Sequence, residues 1–111
     1  MRVVSETQPA DYRVSYTGRV RQSILELAAI AKARGDGKEY LAALKEFDRR
    51  LRIYPQFGDP LMDLLSEPGQ VRLGAVPPLA IRYGVFEERR RVLVGALPVL
   101  LGRWTGGLGP A

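Results

Sequence analysis

The sequence predicts an α+β fold: an N-terminal strand, an antiparallel helix hairpin, and then a three- to four-stranded antiparallel sheet with both helices on one face. Three observations predict it. Residues 79–86 alternate between apolar and other side chains, which is the period-two pattern of a half-buried strand. Segments 71–76 and 92–94 supply a strand on each side of it. Residues 18–54 carry apolar side chains at helical spacing.

The first strand and the first helix follow from local patterns. Tyr12, Val14 and Tyr16 alternate with polar side chains and predict a strand with one apolar face. Thr17 is a favourable N-cap for the helix that follows. Gly35 is suited to its C-terminal end, because glycine adopts left-handed backbone angles without strain. The apolar stripe of this helix consists of Val20, Ile24, Leu27, Ala28 and Ala31.

The second helix begins at Asp36 and Glu39, which have the spacing of a capping box, and ends at Pro55. Because about two residues join the two helices, they are expected to run antiparallel. The seam of the second helix consists of Tyr40, Leu44, Phe47, Leu51 and Tyr54. The apolar patch LMDLL at residues 61–65 fits either a short strand or a helical turn.

The length and amino-acid composition of the chain limit the kinds of site that it can form. A chain of 111 residues is long enough for a single domain, residues 1–111, with flexible ends expected at 1–10 and 105–111. The sequence has no cysteine and no histidine, which excludes disulfides, Cys/His zinc sites and His-dependent triads. No metal, cofactor or small-molecule substrate is predicted.

Charge points to anionic partners. Seventeen basic residues against twelve acidic residues give a net charge of +5, and fourteen of the basic residues are arginine. Arginine binds phosphates and carboxylates with two parallel hydrogen bonds, so RNA, DNA or an acidic protein fits this composition. An arginine-rich proteome explains the same bias without any binding role.

No segment has the pattern of a membrane protein. Residues 1–10 lack the apolar core of a signal peptide. The longest apolar run, 92–102, is about half of the roughly 20 residues that span a bilayer, and Pro98 interrupts it. A cytoplasmic location is therefore expected. Residues 97–104 are too apolar for a free tail, and they are predicted either to dock a partner or to pack on their own domain.

The order of elements and several segments resemble the RelE/ParE superfamily of type II toxins, which includes plasmid stabilisation proteins. The resemblance covers about residues 11–97. It is carried by the first strand with Tyr12, Val14 and Tyr16, the run LKEFDRRLRIYPQFGDPL at 44–61, the strand Val71-Arg72-Leu73, and the hairpin IRYGVFEERRRVLV at 81–94.

The resemblance implies a toxin that binds a macromolecular target and is neutralised by a cognate antitoxin protein. RelE-like members cut messenger RNA on the ribosome, whereas ParE-like members poison DNA gyrase, and the resemblance does not choose between these targets. RelE-type nucleases tend to have arginine near the position of residues 79–81 and basic or aromatic residues near 98–100. Both stretches are apolar here, so no catalytic residue is assigned. The alternatives are a ribosome-dependent mRNA endoribonuclease and a non-toxic protein-interaction domain.

The predicted binding surface lies on the sheet. A turn centred on Pro77 would pair Arg72 with Arg82, and a two-residue turn at 88–89 would place Gly95 opposite Arg82. This register predicts a shallow face that carries two guanidinium groups among glycines. Such a face suits a phosphate backbone or an antitoxin carboxylate, because arginine forms charge-assisted hydrogen bonds to both.

Other readings of these residues stay open. Arg72 and Arg82 would equally pair with acidic residues of the preceding loop. These acidic residues are Asp59, Asp63 and Glu67. Arg50 is the third predicted binding residue, although a cation near a helix C-terminus is also favoured by the helix dipole. Phe86 is the fourth, because it is an apolar residue on the polar side of its strand. Tyr83 is predicted to belong to the core.

Overall fold

A computed structural model describes residues 11–101. Within them the chain forms two helices, six strands and two short 3₁₀ turns. The helices are α1 (Gly18–Ala33) and α2 (Gly37–Ile53). The strands are β1 (Arg13–Tyr16), β2 (Asp59–Asp63), β3 (Gln70–Val76), β4 (Leu79–Phe86), β5 (Arg91–Val94) and β6 (Val99–Leu100). The flexible ends predicted at 1–10 and 105–111 lie outside the described residues.

The strands form one sheet in the order β1-β5-β4-β3-β2, and β6 pairs with β4. This confirms the α+β fold, with a strand, two helices and then the remaining strands. The sheet is mixed, so the prediction of a purely antiparallel sheet was wrong: β1 runs parallel to β5. Parallel neighbours require a long crossover connection. The helix hairpin and the meander β3-β4-β5 together provide that crossover.

The ends of α1 are as predicted, whereas the start of α2 is not. The Thr17 hydroxyl accepts a hydrogen bond from the Val20 amide at 3.3 Å, and Gly35 closes the helix at φ +85°. Asp36 occupies the N-cap of α2, but its carboxylate caps no backbone amide. That carboxylate instead accepts a hydrogen bond from Nε of Arg34 at 2.7 Å. The predicted capping box was therefore wrong.

The core lies between the helices and one face of the sheet. Tyr40, Phe47 and Leu51 of α2 are almost fully buried, as the predicted seam requires. Tyr54 does not belong to this seam, because the helix ends at Ile53 and the Tyr54 side chain is 59% exposed. The sheet contributes the apolar face of β4 together with alternate residues of β5. These sheet residues are Leu79, Ile81, Tyr83, Val85, Val92 and Val94.

The patch at 61–65 and the C-terminal apolar segment both find places on the sheet. Residues 61–63 belong to β2, an exposed edge strand paired with β3. Leu100 of β6 packs against the core, as the prediction of packing on the same domain requires. The Leu101 amide donates to the Pro78 carbonyl at 2.7 Å. Leu97 and Val99 are half-exposed, at 47% and 55%. Trp104 lies outside the described residues.

Tyr83 ties the sheet to the segment that leaves α2. Its hydroxyl donates to the Pro55 carbonyl at 2.6 Å and accepts from the Gly58 amide at 3.1 Å. Only glycine fits at position 58, because a Cβ there would collide with the Tyr83 hydroxyl and lie 2.9 Å from the Leu73 carbonyl oxygen. The Tyr83 ring also packs against Phe47 and Phe57, with ring centroids 6.1 and 6.0 Å away. The core assignment of Tyr83 is thus confirmed.

Replacing Tyr83 by phenylalanine is expected to lower the free energy of unfolding by about 1–3 kcal/mol, because the ring stays but two buried backbone groups lose their partner. Burial raises the pKa of the Tyr83 hydroxyl from its usual value near 10 to about 12. The folded state therefore favours the neutral hydroxyl, and this contribution is complete below pH 10 and is lost as the pH rises toward 12. Urea unfolding at pH 8 and at pH 11 measures both effects.

The exposed Tyr54 provides the matched control, since Tyr54→Phe removes a hydroxyl without removing a buried hydrogen bond. Equal stability of the two variants at pH 8 would contradict the structural role of the Tyr83 hydroxyl. If Tyr83→Phe lost as much stability as the wild type between pH 8 and pH 11, the raised pKa assigned to the Tyr83 hydroxyl would be contradicted.

Candidate sheet-face interaction site

The observed register separates the two arginines that were predicted to face each other. Arg72 pairs with Tyr83, and Arg82 pairs with Leu73, because the turn is centred between Pro77 and Pro78 instead of on Pro77. A shift of one residue moves a side chain to the opposite face of a sheet. Arg72 therefore lies on the helix side, and Arg82 lies on the other side. The prediction of two guanidinium groups on one face was wrong.

Arg72 holds the loop between α2 and β2. Its Nη1 atom donates to the carbonyl oxygens of Gln56 at 2.9 Å and Gly58 at 2.5 Å. Its partners are backbone carbonyls, so the alternative prediction of carboxylate partners was wrong for Arg72. Its Nε atom is buried and has no hydrogen-bond partner in the described part of the chain. Together these contacts give Arg72 a structural role.

Arg82 has the opposite environment. It is exposed, and its guanidinium makes no hydrogen bond or ion pair with any residue between 11 and 101. Its neighbours on the same face are small along β4, where Ala80 and Gly84 stand two residues away on either side. Small residues thus flank Arg82 along β4, but the half-exposed Leu73 lies directly opposite it and Arg72 is not on this face, so the predicted shallow face with two facing guanidinium groups is not formed. The predicted pairing of Arg82 with a loop carboxylate is not observed.

We call the sheet surface that faces away from the helices the outer face. No helix of residues 11–101 covers it. It has exposed apolar side chains, several arginines and an aspartate. From β1 to β2 its members include Arg13, Ser15, Arg91, Leu93, Arg82, Gly84, Phe86, Leu73, Met62 and Asp59. Leu73, Leu93 and Met62 are 42%, 44% and 58% exposed. Contiguous exposed aliphatic side chains of this kind are typical of interaction surfaces.

Arg50 lies apart from the outer face. It projects from α2, donates from Nε to Glu46 at 2.6 Å and stands 5.2 Å from the centre of the Phe57 ring. Hydrogen bonds from Arg49 and Arg50 lower the pKa of the Glu46 carboxyl to about 2. Arg50 is thus already engaged within α2 and does not converge with Arg82.

Phe86 does lie on the outer face. It pairs with Arg91 of β5, and its ring covers Gly69 and Gly84. A Cβ at Gly69 would lie only 2.9 Å from the ring carbons, so the two glycines allow the ring to rest on the backbone. Of the four predicted binding residues, the structure places Arg82 and Phe86 on one surface and places Arg72 and Arg50 elsewhere.

The residues at the positions where the resemblance would place RelE-type catalytic groups are apolar, and most of them are buried. Leu79, Ile81 and Pro98 are buried, and Val99 is exposed. A hydrogen-bonded titratable pair, Tyr16 and Asp48, lies between β1 and α2.

In that pair, burial raises the pKa of Tyr16, and the hydrogen bond to Asp48, at 2.6 Å, raises it further. Burial also raises the pKa of Asp48, but hydrogen bonds from Arg52 and Tyr16 outweigh it and leave this pKa lowered. The pair therefore braces β1 against α2 with its proton fixed on the tyrosine. Residues 11–101 contain no cluster of three acidic residues that could hold a metal ion. They also contain no helix with the length and apolarity needed to cross a membrane.

Comparison with known proteins adds no relative: no family model, curated protein or solved structure shows significant similarity to the chain. The resemblance to RelE/ParE toxins therefore rests on the quoted residues and on the order of elements.

The contrast between Arg72 and Arg82 is directly testable by unfolding. Arg72→Ala is expected to lower the free energy of unfolding by about 1.5–3 kcal/mol, because two charge-assisted hydrogen bonds to the loop are lost. Arg82→Ala serves as the matched control and is expected to change it by less than about 0.5 kcal/mol, since Arg82 is exposed and its guanidinium has no partner in the described part of the chain. Urea denaturation followed by circular dichroism measures both. Equal effects of the two substitutions would contradict the assignment of roles.

Proposed function

We propose that this protein is the toxin of a type II toxin–antitoxin system, or a divergent relative, and that its outer face binds the macromolecular target and the antitoxin. The observation that supports this most is Arg82, an exposed guanidinium that has no partner among residues 11–101 and lies on the sheet face that no helix of this part of the chain covers. The order of elements and the segments that resemble RelE/ParE toxins supply the rest of the support.

The chemistry of the outer face favours a protein partner near Arg82. Leu73 lies directly across from Arg82, and Leu93 pairs with Gly84 beside it. Arginine at the centre of an apolar surface contributes strongly to protein binding, because it combines directed hydrogen bonds with contact area. An antitoxin segment with a carboxylate between apolar residues would satisfy both features.

The residues of this chain fit a toxin that acts by binding its target better than one that acts by cleaving RNA. The positions where RelE-type nucleases carry arginine are occupied here by buried Leu79 and Ile81, and buried Pro98 follows the last strand of the meander. General acid–base chemistry requires titratable groups within reach of the substrate. A toxin that acts by occupying its target needs no such groups.

Inducible expression in a bacterial host tests the proposal. The wild-type protein is expected to arrest growth, and co-expression of the protein encoded by the adjacent reading frame is expected to restore it. Arg82→Ala is expected to weaken both the arrest and the binding of that partner by about tenfold, the loss of roughly 1.4 kcal/mol. Reporter-message length and plasmid supercoiling, measured during arrest, distinguish a ribosomal from a gyrase target.

Arg21→Ala is the matched control, since it removes an exposed arginine from α1 on the helix side. Normal growth on expression of the wild-type protein would contradict the toxin proposal and favour the non-toxic interaction domain. Arrest by Arg82→Ala at the wild-type level, with unchanged partner affinity, would contradict the role of Arg82. Cleaved messages during arrest would contradict the choice of binding over cleavage.

A further inference from the structure

A second group of arginines on the outer face follows from the parallel pairing of β1 with β5. This pairing places Arg13 directly beside Arg91, with both side chains exposed on the outer face. Neighbouring strands are about 4.8 Å apart, so the two side chains leave the backbone close together. Like charges directly opposite each other are unfavourable. Neither guanidinium group has a hydrogen bond or ion pair to the described part of the chain.

An anion shared by the two guanidinium groups would relieve this repulsion. Each guanidinium offers several N–H donors in one plane, and a phosphate has enough oxygens to accept hydrogen bonds from two of them. The first strand was predicted to have one polar face, but the strand that pairs with it was not predicted. The Arg13–Arg91 pair is therefore a feature that only the structure makes visible.

The aromatic ring of Phe86 extends the same row of residues. Phe86 pairs with Arg91 on the side away from Arg13, so the order across the outer face is Arg13, Arg91, Phe86. The ring rests on Gly69 and Gly84, with ring carbons 2.9 Å and 3.3 Å from the positions that their Cβ atoms would occupy. Its exposure is intermediate, so a ring that is supported by the backbone also presents surface to solvent.

A shallow depression of about 160 Å³ lies beside this row. It is lined by Glu67, Phe86, Arg89, Arg91, Val92 and Leu93. Two arginines against one glutamate make its lining positive, and its apolar residues suit the face of a planar ring.

We propose that the row of Arg13, Arg91 and Phe86 binds single-stranded nucleic acid, with a phosphate held by the two arginines and a base stacked on Phe86. Proteins that bind single strands combine these two elements, a positive track for the backbone and aromatic side chains for the bases. An acidic peptide would use the arginines but would gain little from the ring. The proposal concerns a row of the outer face that does not include Arg82, and it is tested by binding to the purified protein, so its outcome does not depend on toxicity.

Fluorescence anisotropy with 5′-fluorescein-labelled oligo(U) and oligo(dT) of twelve nucleotides tests the proposal on the full chain. Arg13→Ala/Arg91→Ala is expected to weaken binding and to reduce the slope of log K against log salt by about 0.7, because the two arginines hold one phosphate and each neutralised phosphate of a single strand contributes about 0.7. Phe86→Leu keeps an apolar side chain over the glycines and is expected to weaken binding by about fivefold or more, because base stacking is lost. Its salt slope is expected to stay unchanged.

Arg19→Ala/Arg21→Ala is the matched control, because it removes the same charge from exposed positions on α1. Circular dichroism melting checks that every variant is folded. Equal losses of affinity in the two double variants would overturn the proposal, since the whole-chain charge would then account for binding. Undetectable binding of both oligonucleotides at low salt would also overturn it. The proposal would also be overturned by two results found together: a hexaglutamate peptide displaces the labelled oligonucleotide as efficiently as unlabelled oligonucleotide does, and Phe86→Leu leaves the affinity for the oligonucleotide unchanged.

Discussion

The structure depends on the clamp that holds residues 55–58 against the sheet. Tyr83 and Arg72 are cross-strand partners, and together they hydrogen-bond the backbone of Pro55, Gln56 and Gly58. Each bond spans fourteen or more positions in sequence, so the clamp joins the end of α2 to the middle of the sheet. The two Tyr83 hydrogen bonds are buried and the two Arg72 hydrogen bonds are partly buried, so an unsatisfied carbonyl or amide there would be costly. The clamp therefore fixes which face of β3 and β4 lies under the helices.

The clamp and the helices use one face of the sheet, and no helix of residues 11–101 covers the other face. Arg72 makes its side-chain hydrogen bonds within the clamp. Arg82 pairs with Leu73 on the opposite face, and its guanidinium has no partner among residues 11–101. The same alternation holds on β5, where buried Val92 and Val94 alternate with exposed Arg91 and Leu93. Burial on one face and exposure on the other are thus two consequences of a single register. The outer face receives arginines and half-exposed aliphatic residues at positions that the core does not need.

The sequence was sufficient for most of the elements and for the β4–β5 register, which follows from the predicted turn at 88–89, but it was insufficient for the other pairings. Alternation in β4 correctly assigned Tyr83 to the core, because period two is a property of the strand itself. The partner of Arg82 was missed by one residue, since two adjacent prolines allow two turn centres and the pattern does not choose between them. The parallel β1–β5 pair was missed because it joins strands about 75 residues apart, beyond the reach of any local rule. The Arg13–Arg91 pair was therefore also missed.

The outer face is best understood as two surfaces. Arg82 and Phe86 are four residues apart on β4, which separates their backbone positions by about 13 Å. This exceeds the screening length of about 8 Å at physiological ionic strength, so the two exposed arginine groups influence each other weakly. Their surroundings also differ, with aliphatic side chains and one guanidinium in one row, and two guanidinium groups and an aromatic ring in the other. A ligand that fits one row leaves the other largely unsatisfied, and the rigid sheet keeps them at a fixed distance. Binding at the two rows is therefore separable by substitution.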